Sequence, residues 1–367
     1  MKKISRIIAL LCAMVFVLAG CKKPSGNVTT LENPESAKMY ALILSDAQMN
    51  DNGMNQYTWQ GIMNLKDSIN VQTKYYEAKD LSEIESNIDS AILSKYDIIF
   101  SLGDMANQTL QKKKTSSLET LFAYINTEND TILDANSFSI EFADYEGAFV
   151  AGYLACETTK TGTISFLGDV QNTSCDNVKY GFYAGAHYYN VVNKKDIKLT
   201  NKLAETKTDV AKIKSTLESL YKEGADVVFV NFDFAQEEML EVASSENGKL
   251  IGTGYVDDTK THARLIAKSI KHIGEGIKNI SDLYIKNENL GGKAYVYGMK
   301  EGCISFNYDK GQIPLEVIDK VDIVKQKIAN GEIDVPVGYE EYQNYIEGSK
   351  DATPEETPES TKESTKE

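Results

Sequence analysis

Met39-Tyr40-Ala41-Leu42-Ile43-Leu44 runs straight into Ser45-Asp46-Ala47-Gln48-Met49-Asn50-Asp51-Asn52-Gly53-Met54-Asn55-Gln56. An apolar run too short for a helix is followed by a loop of acids, amides and one glycine, and then by apolar positions at helical spacing over Asn55–Ile69. That order is a strand, a polar turn and an amphipathic helix, the opening unit of an α/β fold.

The same alternation continues outward from it. Val71–Tyr76, Asp97–Leu102, Thr120–Ile125 and Ser137–Phe142 read as strands, with helices over Leu81–Leu93 and Ala106–Lys113. A second series follows, with strands over Thr163–Leu167, Ile197–Leu203, Ala225–Val230 and Lys249–Gly252. Helices fall over Asp176–Tyr189, Asp209–Lys222, Gln236–Ser245 and His262–Lys278. Strands alternating with helices imply parallel sheets with crossovers on both faces. The expectation is therefore an α/β chain of two Rossmann-like lobes joined by a hinge: lobe 1 over 38–145 with a return segment, lobe 2 over 146–261, and crossover and C-terminal elements over 262–340.

Both ends differ from this pattern. Lys2, Lys3 and Arg6 precede an apolar run from Ile7 to Leu18, and Leu18-Ala19-Gly20-Cys21 resembles a bacterial lipobox. Residues 1–20 are read as a lipoprotein signal, Cys21 as the lipidated residue and 21–37 as a tether. Two acyl chains on that cysteine would give stable anchoring on the extracytoplasmic face of the membrane. Residues 348–367 consist mostly of Ser, Thr, Pro, Glu and Lys and read as a solvated tail.

Charge and motif content narrow the function. The chain holds 39 Lys plus Arg against 54 Asp plus Glu, a net of −15, which disfavours a nucleic-acid partner. No glycine-rich phosphate loop occurs, and none of the three histidines has metal-ligand spacing, so no cofactor or metal is expected. One disulfide can be drawn among Cys156, Cys175 and Cys303.

In sheets of this type ligands bind beyond the carboxyl ends of the strands. Those loops are Ser45–Gln56, Gly103–Gln108, Gly168–Asn172, Asn231–Phe234 and Gly254–Asp258, all rich in Asp, Asn, Gln or aromatics. Acids accept paired hydroxyls, amides donate and accept, and aromatic rings offer flat faces. Capping and turn closure are the competing use of the same residue types.

Five segments together carry a family resemblance. Asp51-Asn52-Gly53-Met54-Asn55-Gln56-Tyr57-Thr58-Trp59-Gln60-Gly61, Phe142–Gly152 and Tyr180-Gly181-Phe182-Tyr183-Ala184-Gly185-Ala186 occur in order. Tyr297-Gly298-Met299-Lys300-Glu301-Gly302 and Lys327–Ile333 follow them. From the lipobox to Pro336 the chain resembles the basic membrane protein family of lipoproteins, the substrate-binding subunits of nucleoside ABC importers. The resemblance implies a type I periplasmic-binding fold, a nucleoside ligand with a purine base, an ABC permease partner and no enzymatic activity.

It also implies a ligand site. Asp51 and Asn55 stand at the first loop, Met54 replaces the family's stacking Phe, and Asp104 lies slightly ahead of the family acid. Asn231-Phe232-Asp233-Phe234 departs from the family's glycine-rich loop, and there Phe232 or Phe234 is the candidate opposite face, the alternative being a plug of the lobe, with Asp233 a hydroxyl acceptor. Asp257 or Asp258 takes the ribose, with Asp257 the first choice, and Lys271 matches the cleft lysine. Two alternatives remain: a sensory or structural lipoprotein for a sugar or other small polar ligand, and a nucleoside hydrolase.

Overall fold

The computed structural model describes residues 37–45, 49–127, 132–232, 236–256 and 262–348. Cys21, Asp233, Phe234, Asp257 and Asp258 lie outside these residues, as do the signal and tether segments and the tail beyond residue 348. Twelve strands among the described residues form two six-stranded sheets, whose order from edge to edge is β11-β5-β4-β3-β1-β2 in one and β12-β10-β9-β8-β6-β7 in the other.

The first sheet is built from β1 (Lys38–Leu44), β2 (Val71–Tyr76), β3 (Ile98–Leu102), β4 (Leu121–Ile125), β5 (Ser137–Phe142) and the late strand β11 (Ala294–Tyr297). Helices α1 (Met54–Asn64), α2 (Leu81–Leu93) and α3 (Asp104–Lys113) make its crossovers. The second sheet contains β6 (Thr163–Gly168), β7 (Lys198–Leu203), β8 (Val227–Asn231), β9 (Lys249–Gly254), β10 (Leu265–Lys271) and β12 (Ile304–Tyr308). Its helices are α4 (Asp144–Thr158), α5 (Thr173–Asn193), α6 (Val210–Lys222) and α7 (Gln236–Ser245). Next come α8 (Ile273–Ile285), α9 (Leu315–Ala329) and α10 (Gly338–Gly348). Pairing is parallel except between β10 and β12. The two Rossmann-like lobes expected from the alternation are thus present.

Local chemistry sets the element ends. Asp80, Asn172 and Asp209 cap α2, α5 and α6 by accepting the backbone N–H of Glu83, Cys175 and Lys212. Strands β3 and β4 are buried almost throughout because helices cover both faces, which is why they read as continuous apolar runs. Helix α4 is buried from Gly147 to Cys156 between α5 and the second sheet. Close approach of α4 and α5 depends on Gly152 and Gly185, where a Cβ would overlap the carbonyl oxygens of Phe182 and Phe149.

One expected element differs. His262–Lys278 is not one helix but strand β10 followed by α8. Ile266, Ile270, Ile273 and Ile277 recur at helical spacing, so the period runs straight through the junction. Yet β10 is buried at every position from Leu265 to Ile270, as a strand inside a covered sheet must be. Helix α10 extends beyond the expected end of the folded region and packs on α5, with Tyr342 stacked on Tyr180 at 5.4 Å between ring centroids. Cys156, Cys175 and Cys303 are free and buried, so no disulfide joins them.

Three crossings join the lobes: β5 into α4, β10 into α8, and the turn from β11 to β12. They are hydrogen-bonded side by side. The Ala143 N–H donates to the Tyr297 carbonyl at 2.9 Å and the His272 N–H to the Cys303 carbonyl at 2.8 Å. Glu146 fastens the third crossing by accepting the Met299 N–H at 2.6 Å.

Candidate functional site

The carboxyl ends of strands in both sheets converge on one cavity of about 550 Å³, which Met54 and Asp104 line from lobe 1 and Phe232 and Lys271 line from lobe 2. Pockets for small organic ligands span roughly 300–1,000 Å³, so a molecule of a few rings fits.

Lys271 is the last residue of β10 and not a helix position. Its Nζ lies 2.6 Å from Asp144 Oδ2, donates to Asn126 Oδ1 at 3.4 Å, and sits 5.4 Å from the centre of the Phe142 ring. Asn126 directly follows β4 with a positive φ of 53°, a conformation asparagine tolerates better than most residues. The ammonium therefore ties a lobe 1 strand end to the first turn of α4.

Glu141, near the end of β5, also faces the cavity. Its carboxylate accepts the Thr127 hydroxyl at 2.6 Å and the Thr127 N–H at 3.1 Å. Burial raises its pKa above the ordinary glutamate value, while the Thr127 bonds and the Lys271 charge oppose that rise.

The other expected residues divide clearly. Met54 opens α1, is half-buried and packs on the lobe 1 apolar cluster while facing the cavity. Asp104 stands at the N-terminus of α3, exposed, after Gly103 turns the chain with φ 93°. Phe232 follows β8, lines the cavity and packs into the lobe 2 core at 4% exposure, so it serves as wall and plug together. Asn55 is buried but outside the cavity lining. Asp51 is also outside it: its carboxylate accepts the N–H groups of Gly53, Asn55 and Gln56 at 2.8, 3.1 and 3.1 Å. It satisfies the free donors at the start of α1. Asp233, Phe234 and Asp257 follow β8 and β9, outside the described residues.

Asn126, Glu141, Asp144, Asp169, Asn172 and Tyr255 line the cavity without having been singled out. Asp169, Asn172 and Tyr255 belong to two of the strand-end loops named from the sequence, and Asn172 is already engaged by capping α5. The strand ends at Ile125 and Phe142 are those expected from the sequence, so the rule that ligands meet strand carboxyl ends, applied after these two strands as well, flags Asn126 and Asp144.

Chemically the cavity offers carboxylates and amides from both lobes, two lysines (Lys207 and Lys271), and apolar surface from Met54, Phe142, Phe232 and Tyr255. Such a set can donate to and accept from hydroxyl or amide groups and can cover an apolar ring.

Comparison with known proteins agrees with this architecture. Residues 38–338 match the family described as ABC transporter substrate-binding protein, PnrA-like. Basic membrane protein A of Borreliella afzelii is 27% identical over 316 residues, covering 83% of this chain and 93% of that protein. The ABC transporter nucleoside-binding protein BmpA of Lactococcus lactis is 27% identical over 358 residues, covering 91% and 99%. Among solved structures, an ABC transporter solute-binding protein from Aeropyrum pernix K1 superposes with a TM-score of 0.67 at 18% identity, covering 85% of this chain and 97% of that one. One from Conexibacter woesei gives 0.66 at 15% identity, covering 83% and 100%. These two show the shared fold.

Proposed function

Because this chain belongs to the PnrA-like family of ABC transporter substrate-binding proteins, we propose that it captures a nucleoside between its lobes, with a purine as the preferred base, and delivers it to a membrane permease. The observation that carries this reading is the cavity's composition: one ammonium held among acids and amides at one side, and Met54 and Phe232 as apolar walls.

In this reading Lys271, Asp144 and Asn126 take the ribose hydroxyls, since a carboxylate and an amide oxygen accept while the ammonium donates. Met54 contacts the base through its thioether, and Phe232 offers an aromatic surface. Asp104, Asp233 and Asp257 supply further acceptors, and Phe234 a second ring. Asp51 acts indirectly, its carboxylate holding the start of the helix to which Asn55 belongs. Cys21 carries the lipid that holds the protein outside the cell membrane. Its work is hinge closure around the ligand without covalent chemistry, as a binder that contacts its ligand from both lobes favours the closed state.

The electrostatics select against nucleotides. A phosphate monoester adds about −1.5 to −2 charges at neutral pH beside Asp104, Glu141, Asp144 and Asp169. Mass spectrometry of the small molecules carried by the protein purified from its own cells tests the reading. A nucleoside is expected; a sugar or a peptide as the sole retained ligand contradicts it.

A further inference from the structure

Tyr57 lies in the first turn of α1, on lobe 1, and Tyr255 immediately follows β9, on lobe 2. Their rings stack with centroids 5.4 Å apart and planes inclined by 21°. Tyr255 also packs against the lobe 1 apolar cluster, alongside Met54 and Trp59. A lobe 2 side chain thus rests on lobe 1, although no strand is shared between the sheets.

Only one ring of the pair faces the cavity. Tyr255 lines it and Tyr57 does not. Both rings are half-buried. The stack adds a lobe 1 ring contact to a side chain that lines the cavity from lobe 2, and so restricts the rotamers open to Tyr255.

We propose that Tyr57 and Tyr255 form a clasp across the mouth of the cleft, in which Tyr57 is a positioning residue. It fixes Tyr255 as an aromatic wall of the ligand cavity and biases the two lobes toward the closed arrangement. The stack exists only when the lobes are together, so it must part before a bound molecule leaves. Offset aromatic pairs contribute enough to shift such an equilibrium by about 2- to 13-fold. The same factor enters the ligand's release rate and, where the open state dominates without ligand, its apparent affinity.

The proposal depends on the reading of the cleft as the ligand site but not on the ligand's being a nucleoside. Its test has two readouts on the full chain and on Tyr57→Leu, Tyr57→Phe, Tyr255→Leu and the double Leu variant. Single-molecule energy transfer between dyes on the two lobes reports closure in the ligand-free protein. Stopped-flow fluorescence of Trp59, the only tryptophan, reports release of inosine. Tyr57→Leu is expected to populate the open state and speed release by about 2- to 13-fold, Tyr57→Phe to behave as the unaltered chain, and the double variant to match either single one in lobe distances, while release from Tyr255→Leu also reflects its lost cavity wall. Unchanged lobe distances with Tyr57→Leu overturn the proposal, as do effects of the two Leu substitutions on lobe distances that simply add. If inosine binds no version, the nucleoside reading fails while the lobe distances still decide the clasp.

Discussion

Lys271 Nζ and Asp144 Oδ2 lie 2.6 Å apart where two of the three lobe crossings begin, one leaving β10 and the other entering α4. The pair joins the hinge to the ligand cavity through a single contact. Any change to it alters both the local charge balance and the geometry of the strand ends.

Lys271→Met removes the ammonium that pairs with Asp144 at 2.6 Å and donates to Asn126. The three-quarters-buried Asp144 carboxylate loses that ion pair. Chemical denaturation should show a loss of about 1–3 kcal/mol, and Asp144→Asn in the same chain should restore most of it. Nucleoside affinity should fall in both, because restoring charge balance does not restore the donor.

Glu141 predicts a pH dependence of definite sign. Its pKa is raised in the folded protein, chiefly by burial, so ionising it costs stability. That cost is absent below the ordinary value of 4.5, where the carboxyl is protonated in both states, and it grows as pH rises through the folded value. Unfolding free energies of the unaltered chain and Glu141→Gln should therefore diverge with rising pH across this window, with the unaltered chain losing relative to the variant. A difference independent of pH would contradict the assignment.

Asp51 separates two roles by one substitution. Three backbone N–H groups depend on its carboxylate. Asp51→Ala should lower stability by about 0.5–2 kcal/mol, with Asp51→Asn retaining much of it. The melting temperature checks this directly. Loss of ligand binding at unchanged stability would instead make Asp51 a ligand contact.

Gly185→Ala tests the helix crossing behind the site. Its new methyl group would meet the Phe149 carbonyl oxygen, which belongs to backbone and cannot move aside as a side chain end can. A cost of about 1–3 kcal/mol is expected, measured by denaturation, with ligand stoichiometry unchanged in the folded fraction.

The sheets were legible in the sequence because their strands are local apolar runs punctuated by polar loops. Leu81–Leu93 and Gln236–Ser245 appear at their expected bounds. The misread stretch was His262–Lys278, where four isoleucines kept helical spacing across a strand-to-helix junction. Only pairing with β9 and β12 makes Leu265–Lys271 a strand, and that pairing is not local. The site was legible as a set of loops but not as contacts. Lys271 meets Asn126 across 145 positions of sequence. No spacing rule connects residues that far apart, and Asp51, which has the composition of a ligand contact, turned out to be engaged by its own helix.

The central claim is that the cleft takes an uncharged nucleoside. Isothermal titration of the ligand-free chain with inosine, inosine 5′-monophosphate and ribose tests it most directly. The account predicts one inosine per chain, binding of the monophosphate weaker by about tenfold or more because its −1.5 to −2 charges enter an acidic cleft, and ribose alone binding more weakly than inosine. Tight binding of ribose without inosine, or of the monophosphate as strongly as inosine, would contradict it.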